Sequence, residues 1–302
     1  MRTRFLIIHN PVAGMRRRWM LRTVCQKLQE HGASFTIVPA NDVETDRRLA
    51  QQAVQSDDYD AVVAAGGDST VRGIASGLVG AKLPLGVIPI GTGNVLAHEI
   101  GIRRGPGEVA RCLVEGPSIS VRGARANQEP FYLMASAGFD ARVLLRLDVK
   151  WKRRLGKFAY LWPTIRELME PVRSFEATID GATHRCSWLI VAKAQRYAGP
   201  FIVVRDQNLL SHGFHAIVVK TESRLGLIRA IVAIGLERLG QTEHVDVLPC
   251  HRVQIADEQD VTMQFDGEPF EAGQMELSLD DELLQLIVPE EFAARAQLQL
   301  AA

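Results

Sequence analysis

Cysteine is scarce in this 302-residue chain, and its four cysteines form no Cys-x-x-Cys pair. Cys25, Cys112, Cys186 and Cys250 stand far apart, which argues against a disulfide framework or a cysteine-built zinc site and suits a reducing compartment. Net charge is also missing: 35 basic residues balance 35 acidic ones. No global field draws the chain to nucleic acid, so no nucleic-acid partner is expected. The longest apolar run, near 225–236, is interrupted by Arg229. It falls short of the roughly 20 residues a membrane span needs, and reads as a core or a lipid-facing helix, core being favoured. No secretory leader is expected, because the first apolar run passes straight into a loop motif. A cytoplasmic protein is the expectation, with peripheral contact at the inner membrane face left open. A Gly-x4-Gly-Lys-Ser/Thr phosphate loop is absent too, which excludes a Walker-type site.

The hydrophobic content of 47% and charged content of 23% are those of a globular protein with real cores. Short apolar runs at 5–8, 35–38, 61–65 and 85–90 alternate with segments of helical spacing. Strands separated by helices require crossover connections, hence a parallel sheet covered on both faces. An α/β domain is expected over 1–125. From there the pattern turns to short alternating runs, at 131–136, 175–179, 188–192, 201–204, 215–219, 253–255, 261–265 and 275–279. These predict an antiparallel β-sandwich over 126–288, interrupted by helical insertions at 141–169 and 225–239. The last residues, 289–302, hold a short amphipathic helix.

Three glycine-containing loops follow predicted strands of the first domain: Asn10-Pro-Val-Ala-Gly14, Gly66-Gly-Asp-Ser-Thr70 and Gly91-Thr-Gly-Asn94. In a parallel sheet such loops gather at the carboxyl edge, where glycines admit a ligand and helix N-termini attract anions. Any one of them is an ordinary strand-to-helix turn; three together predict a phosphate-binding edge. Asp68 beside bound phosphates implies a bridging cation, Mg²⁺. Asp68 also suits the N-cap of a helix starting near Thr70. Asp266-Gly267 reads equally as a hairpin turn.

With Ile88-Pro-Ile leading into the third loop, Ser136-Ala-Gly-Phe-Asp140, the basic segment 152–160 and Phe265-Asp-Gly-Glu268, the set resembles the diacylglycerol kinase-like lipid kinases across nearly the whole chain. The resemblance implies ATP bound in a cleft between an α/β domain and a β-sandwich, and a last helix returning to the first domain. It also implies transfer of the γ-phosphoryl group to the hydroxyl of diacylglycerol, a sphingoid base or a related lipid. Carried over by position, Asn10, Gly14, Gly66, Gly67, Ser69, Thr70, Thr92, Gly93 and Asn94 would contact ATP. Asp68 would hold Mg²⁺, and Asp266 would be the general base with Glu268 beside it.

The chain departs from the family pattern at several points. Ser69 replaces a glycine, a change that negative φ would tolerate. Val95 and Ser120 stand where acidic residues are usual. Lys193 replaces an asparagine, and Ser211-His-Gly-Phe-His-Ala216 replaces an acidic element that holds a structural metal in some members. His212 and His215, three apart on a strand, are read as surface or packing residues. A catalytically impaired nucleotide- or lipid-binding homologue therefore stays open, and an NAD kinase is the more distant alternative. The basic cluster at 16–19, beside Trp19, suits phosphate contact at the cleft and lipid contact equally, whereas that at 150–154, around Trp151, predicts transient membrane contact. The oligomeric state is left open, a dimer included.

Overall fold

The structure, a computed structural model, describes residues 1–11, 18–102, 105–148, 151, 154–256, 261–271 and 274–300. Gly14, Arg16, Arg17, Lys150, Lys152 and Arg153 lie outside the described residues, as does the side chain of Arg18. The chain divides into two compact units, Met1–Arg122 with Asp281–Ala302, and Gly123–Asp280. The second unit is thus inserted between the penultimate and last parts of the first.

Unit 1 runs β1 (Arg4–His9), α1 (Arg18–Glu30), β2 (Ser34–Pro39), α2 (Val43–Ser56), β3 (Ala61–Gly66), α3 (Asp68–Leu78), β4 (Leu85–Pro89), α4 (Val95–Glu99) and α5 (Pro106–Glu115). The strands β2-β1-β3-β4 form a parallel sheet, as the alternating pattern predicts. β3 and β4 are buried along their whole length, which is why both read as continuous apolar runs rather than alternating ones. Helix α2 starts where Asp42 accepts the Thr45 N–H at 2.8 Å, a side-chain N-cap. Phe5, Ile7, Val24, Leu28, Val63 and Ile88 share the core on one face.

The chain leaves unit 1 within β5 (Ser118–Ala126). Unit 2 then forms β6 (Glu129–Phe131), β7 (Met134–Gly138), α6 (Phe139–Leu145), a 3-10 turn (Gly156–Tyr160), α7 (Leu161–Met169), β8 (Phe175–Ile179), β9 (Ala182–Cys186) and β10 (Trp188–Ala192). It continues through β11 (Arg196–Tyr197), β12 (Phe201–Ile202), β13 (Phe214–Val219), α8 (Arg224–Gly235), β14 (Val245–Cys250), β15 (Val253–Ile255), β16 (Thr262–Phe265) and β17 (Glu268–Glu271). β18 (Met275–Ile287) carries the chain back to unit 1, where Leu286 pairs in parallel with Leu85, and α9 (Glu290–Leu300) ends it.

The strands of unit 2 are antiparallel, in the order β14-β13-β10-β7-β16-β17, with β15 pairing β18 and β8 in a second layer. β10 shows how the layers close. Leu189 and Val191 face the sandwich core with Phe131, Phe175 and Val253, while Trp188 and Ile190 face Leu227 and Ala230 of α8.

Three details differ from the sequence reading. The run at 131–136 is split between β6 and β7, and 201–204 contributes only the two paired residues of β12. The predicted insertion 141–169 is not one continuous helix: among the described residues α6 ends at Leu145 and α7 begins at Leu161, and Gly156 between them is left-handed at φ +60°. Asp266 and Gly267 both have positive φ, +48° and +87°, as a two-residue hairpin loop between β16 and β17 demands.

Candidate active-site elements

In unit 1 the three loops leave adjacent strands β1, β3 and β4 at their carboxyl ends. They are fastened to one another through backbone. The Asn10 N–H donates to Ala65 O at 3.1 Å, and the Ile90 and Gly91 N–H groups both donate to Gly66 O, at 3.2 and 3.0 Å. The Asn10 amide reaches the Thr70 hydroxyl at 3.5 Å. Asn94, buried and left-handed at φ +51°, donates its side-chain amide to Gly91 O at 2.9 Å and so locks the third loop onto itself.

The glycines divide by task. A Cβ on Gly66 would meet Thr70 Oγ1 at 2.4 Å, and one on Gly91 would meet Gly67 Cα at the same distance. Gly91 is glycine because the third loop presses on the backbone of the second, and Gly66 because Thr70 of its own loop packs over it. Around Gly67 the nearest atom to an added Cβ is 3.5 Å away, and around Gly93 it is Asp68 Oδ2 at 3.0 Å. Gly67, Asp68, Ser69, Thr92 and Gly93 are the half-exposed members of the cluster, so close approach of a ligand falls to them.

Asp68 corrects the capping expectation. Gly67 is the N-cap of α3, and Asp68 lies inside the helix. Its Oδ1 instead accepts the Leu96 N–H at 3.2 Å, holding the start of α4, one loop away. Val95 is the buried first residue of that helix, which an ionised carboxylate could occupy only with compensating partners. Ser69, in α3, has negative φ, as its substitution for glycine requires.

In unit 2 the Asp266 side chain is buried, and its carboxylate accepts three main-chain N–H bonds: Tyr132 at 2.8 Å, Leu133 at 2.9 Å and Met134 at 3.0 Å. The Asp266 N–H returns a bond to Met134 O at 3.0 Å. The turn is therefore stitched to the β6–β7 connection. Glu268, two residues on, opens β17 and is half-buried.

A second polar cluster supports the same turn. Gln264 accepts the Gly267 N–H at 2.7 Å and donates to Ser136 Oγ at 2.8 Å. Ser136 in turn donates to the Asp140 carboxylate, at 2.6–2.7 Å, and Tyr197 donates to it at 2.7 Å. Burial pushes the Asp140 carboxyl up to about 6 against these hydrogen bonds, which pull it down. The Tyr197 phenol rises well above its ordinary value, chiefly by burial and then by the adjacent Asp140 charge. Sequence reasoning found Ser136 and Asp140 through their motif. It missed Gln264 and Tyr197, which come from other strands and carry no local signal.

Lys193, which stands where the resemblance puts an asparagine, reaches the Ser211–Ala216 segment that replaces the acidic metal-holding element. Lys193 is completely buried and its Nζ donates to Leu209 O at 2.9 Å and Ser211 O at 3.1 Å. His212 is exposed and His215 binds Gln207 at 2.8 Å, so they form no ligand pair. Among the described residues no group of three His, Cys, Asp or Glu side chains could cage a metal. One half-exposed carboxylate, Asp68, fits a cation carried mainly by a nucleotide's phosphates, the usual manner of Mg²⁺, and does not fit an all-protein cage.

Comparison with known proteins agrees with this architecture. Residues 4–126 match the diacylglycerol kinase catalytic domain, and residues 134–288 match the YegS C-terminal NAD kinase beta sandwich-like domain. The chain belongs to the diacylglycerol kinase-like family, the one its motifs resemble.

Among curated relatives, diacylglycerol kinase of Bacillus subtilis is 26% identical over 87% of this chain and 88% of its own. An uncharacterized protein of Synechocystis is 33% identical over 58% of this chain. The chain spans less than half the length of the first two curated relatives it matches, 42% and 39%. A Bacillus anthracis structure assigned as a diacylglycerol kinase superposes with a TM-score of 0.79 at 20% identity, covering 96% of this chain and 97% of the other.

Proposed function

We propose that this protein is an ATP-dependent lipid kinase that transfers the γ-phosphoryl group to a hydroxyl of diacylglycerol, a sphingoid base or a related lipid alcohol. The observation that carries the reading is the fastened loop edge of unit 1. There the half-exposed glycines Gly67 and Gly93 lie beside a half-exposed carboxylate, Asp68, in the first turn of α3.

Phosphoryl transfer through a loose transition state asks a protein mainly for positioning and charge neutralisation. In this reading Gly67, Ser69, Thr70, Thr92 and Gly93 supply N–H and hydroxyl donors to phosphate oxygens. Asn10 and Asn94 hold the loops that present them. Asp68 ligates a nucleotide-borne Mg²⁺, whose contribution is to neutralise phosphate charge. Asp266 accepts the proton of the attacking hydroxyl. Three main-chain N–H donors hold its carboxylate in place, and in a loose transition state the hydroxyl proton departs late. Glu268 is the neighbouring carboxylate that orients the hydroxyl.

The test is Mg²⁺-dependent transfer of labelled phosphate from ATP to a mixed-micelle panel of diacylglycerol, monoacylglycerol, phosphatidylglycerol, sphingosine and ceramide. One labelled lipid is expected, with transfer reduced about 10²–10⁴-fold in Asp266→Asn and abolished in Asp68→Asn. ATP binding with no labelled product would replace this reading with that of an impaired homologue, which the buried Val95 and the ammonium of Lys193 would then explain.

A further inference from the structure

Lys193 follows β10, a strand buried along its whole length, and is itself completely buried. An ammonium held out of water is costly unless oxygen atoms replace its hydration. Here one loop supplies them. The Nζ donates to the carbonyls of Leu209 and Ser211, so the chain at 209–211 turns these oxygens inward, towards a point of positive charge. Gln207, also buried, closes the same loop. Its amide donates to Lys193 O at 3.0 Å and to Gly213 O at 3.1 Å, and its Oε1 pairs with His215 Nδ1 at 2.8 Å. Burial pushes the His215 imidazole below its ordinary value, against the pull of Asp206. Near neutral pH the positive charge in this cluster is therefore the ammonium.

Carbonyl oxygens converging on a positive centre are the ligand chemistry of a hard metal ion. The segment Ser211-His-Gly-Phe-His-Ala216 stands where the resemblance puts carboxylates around a structural metal. That metal does not fit here: Ser211 and Ala216 bring no charge, His212 is exposed and His215 is taken by Gln207. The two departures compensate one another. Deleting the carboxylates alone would leave inward carbonyls facing no cation, and an ammonium added beside a bound metal would be repelled by it. We infer that Lys193 is a built-in structural cation, which takes over the task of that metal and holds residues 207–213 with a covalently attached charge in place of an exchangeable ion.

The held loop adjoins the Asp266 turn. The Lys193 and Ala194 N–H groups both donate to Leu133 O, at 2.9 and 3.0 Å, and the Leu133 N–H donates to the Asp266 carboxylate. The bond from Lys193 to Leu133 is main-chain, so truncating the lysine side chain should open the loop and spare the turn. The divalent ion that the kinase reading then calls for is the one borne by the nucleotide.

The test follows the full chain, without nucleotide, by hydrogen exchange and thermal unfolding in EDTA, in magnesium chloride and in calcium chloride. The parent loop is expected to exchange alike in all three. Lys193→Met keeps the stem and removes the charge. Its Leu210 and Ser211 amides, bonded within the loop to Asn208, should exchange at least about tenfold faster in every buffer, while the Leu133 amide keeps its parental rate. Lys193→Asn with Ser211→Asp and His212→Asp rebuilds carboxylates without the ammonium. In that variant Mg²⁺ or Ca²⁺ should slow loop exchange by a similar factor and raise the melting temperature. A parent loop that loosens in EDTA, or a Lys193→Met loop that exchanges like the parent's, would overturn the inference. So would a rebuilt loop indifferent to both ions, which would leave Lys193 an ordinary buried lysine. Should Lys193→Met not fold, the parent's response to EDTA and the rebuilt loop's response to the ions still decide. Loop exchange as expected, in a parent that transfers no phosphate, would keep the built-in cation and sink only the kinase reading.

Discussion

The loop edge of unit 1 and the Asp266 turn of unit 2 are built in opposite ways. At the loop edge the fastening is backbone to backbone across adjacent strands, and the side chains that matter stay half-exposed. At the turn a buried carboxylate is the fastening, gathering three N–H groups from residues more than 130 positions away in sequence. A site of the first kind can lose a side chain and keep its shape. A site of the second kind loses both together.

The sharpest way to break that contrast is Asp266→Asn against Asp68→Asn. An amide at Asp266 turns one acceptor oxygen into a donor facing a buried N–H, which should cost about 3 kcal/mol or more in denaturant unfolding. Asp68→Asn should cost no more than about 1 kcal/mol, the scale of a helix cap. Equal losses would show that the two sites are built alike.

Within unit 1, Gly91→Ala should destabilise by about 1–3 kcal/mol, because its methyl would enter the backbone of Gly67. Gly93→Ala should unfold closer to the parent while weakening nucleotide binding, which isothermal titration would read. If both behaved as packing glycines, the division of labour in the loops would be wrong.

A pH profile separates two buried carboxyls. Asp46 of α2 is buried with Oδ1 unpartnered, and burial, aided by Asp42, raises it to about 7. Asp140, with donors from Ser136 and Tyr197, rises only to about 6. Each keeps its proton in the folded state after the unfolded chain has released it. Stability should therefore fall as pH rises from about 4, by up to roughly 1.4 kcal/mol per unit per group, until each native carboxyl ionises. Asp46→Asn should flatten the stretch between pH 6 and 7 and leave the Asp140 contribution below pH 6. An unchanged profile in urea melts would remove Asp46 as its source.

What the sequence disclosed follows the same division. The alternation of strands and helices, the loops after β1, β3 and β4, and the Asp266-Gly267 hairpin are local patterns, each set by residues within a few positions. The attachment of Asp68 to α4 was not legible, because it spans 28 positions and Asp is an equally good cap for its own helix. Gln264 and Tyr197 join Ser136 and Asp140 only once β7, β10 and β16 are side by side. The α8 stretch allowed both a core and a lipid-facing reading, since its composition is apolar all round; the structure buries Leu227, Ala230 and Ile234 and leaves Leu225, Val232 and Leu236 exposed.

The insertion of unit 2 into unit 1 sets an order of events during synthesis. Residues 123–280 leave the ribosome as a continuous stretch and hold every strand of the six-stranded sheet. The parallel sheet has β1 to β4 early, yet the neighbour of β4, the end of β18 at Leu286, is made only after the whole of unit 2. The unit that begins first is finished last. A nascent chain halted near residue 280 would expose the flank of β4 while its inserted partner was already able to condense.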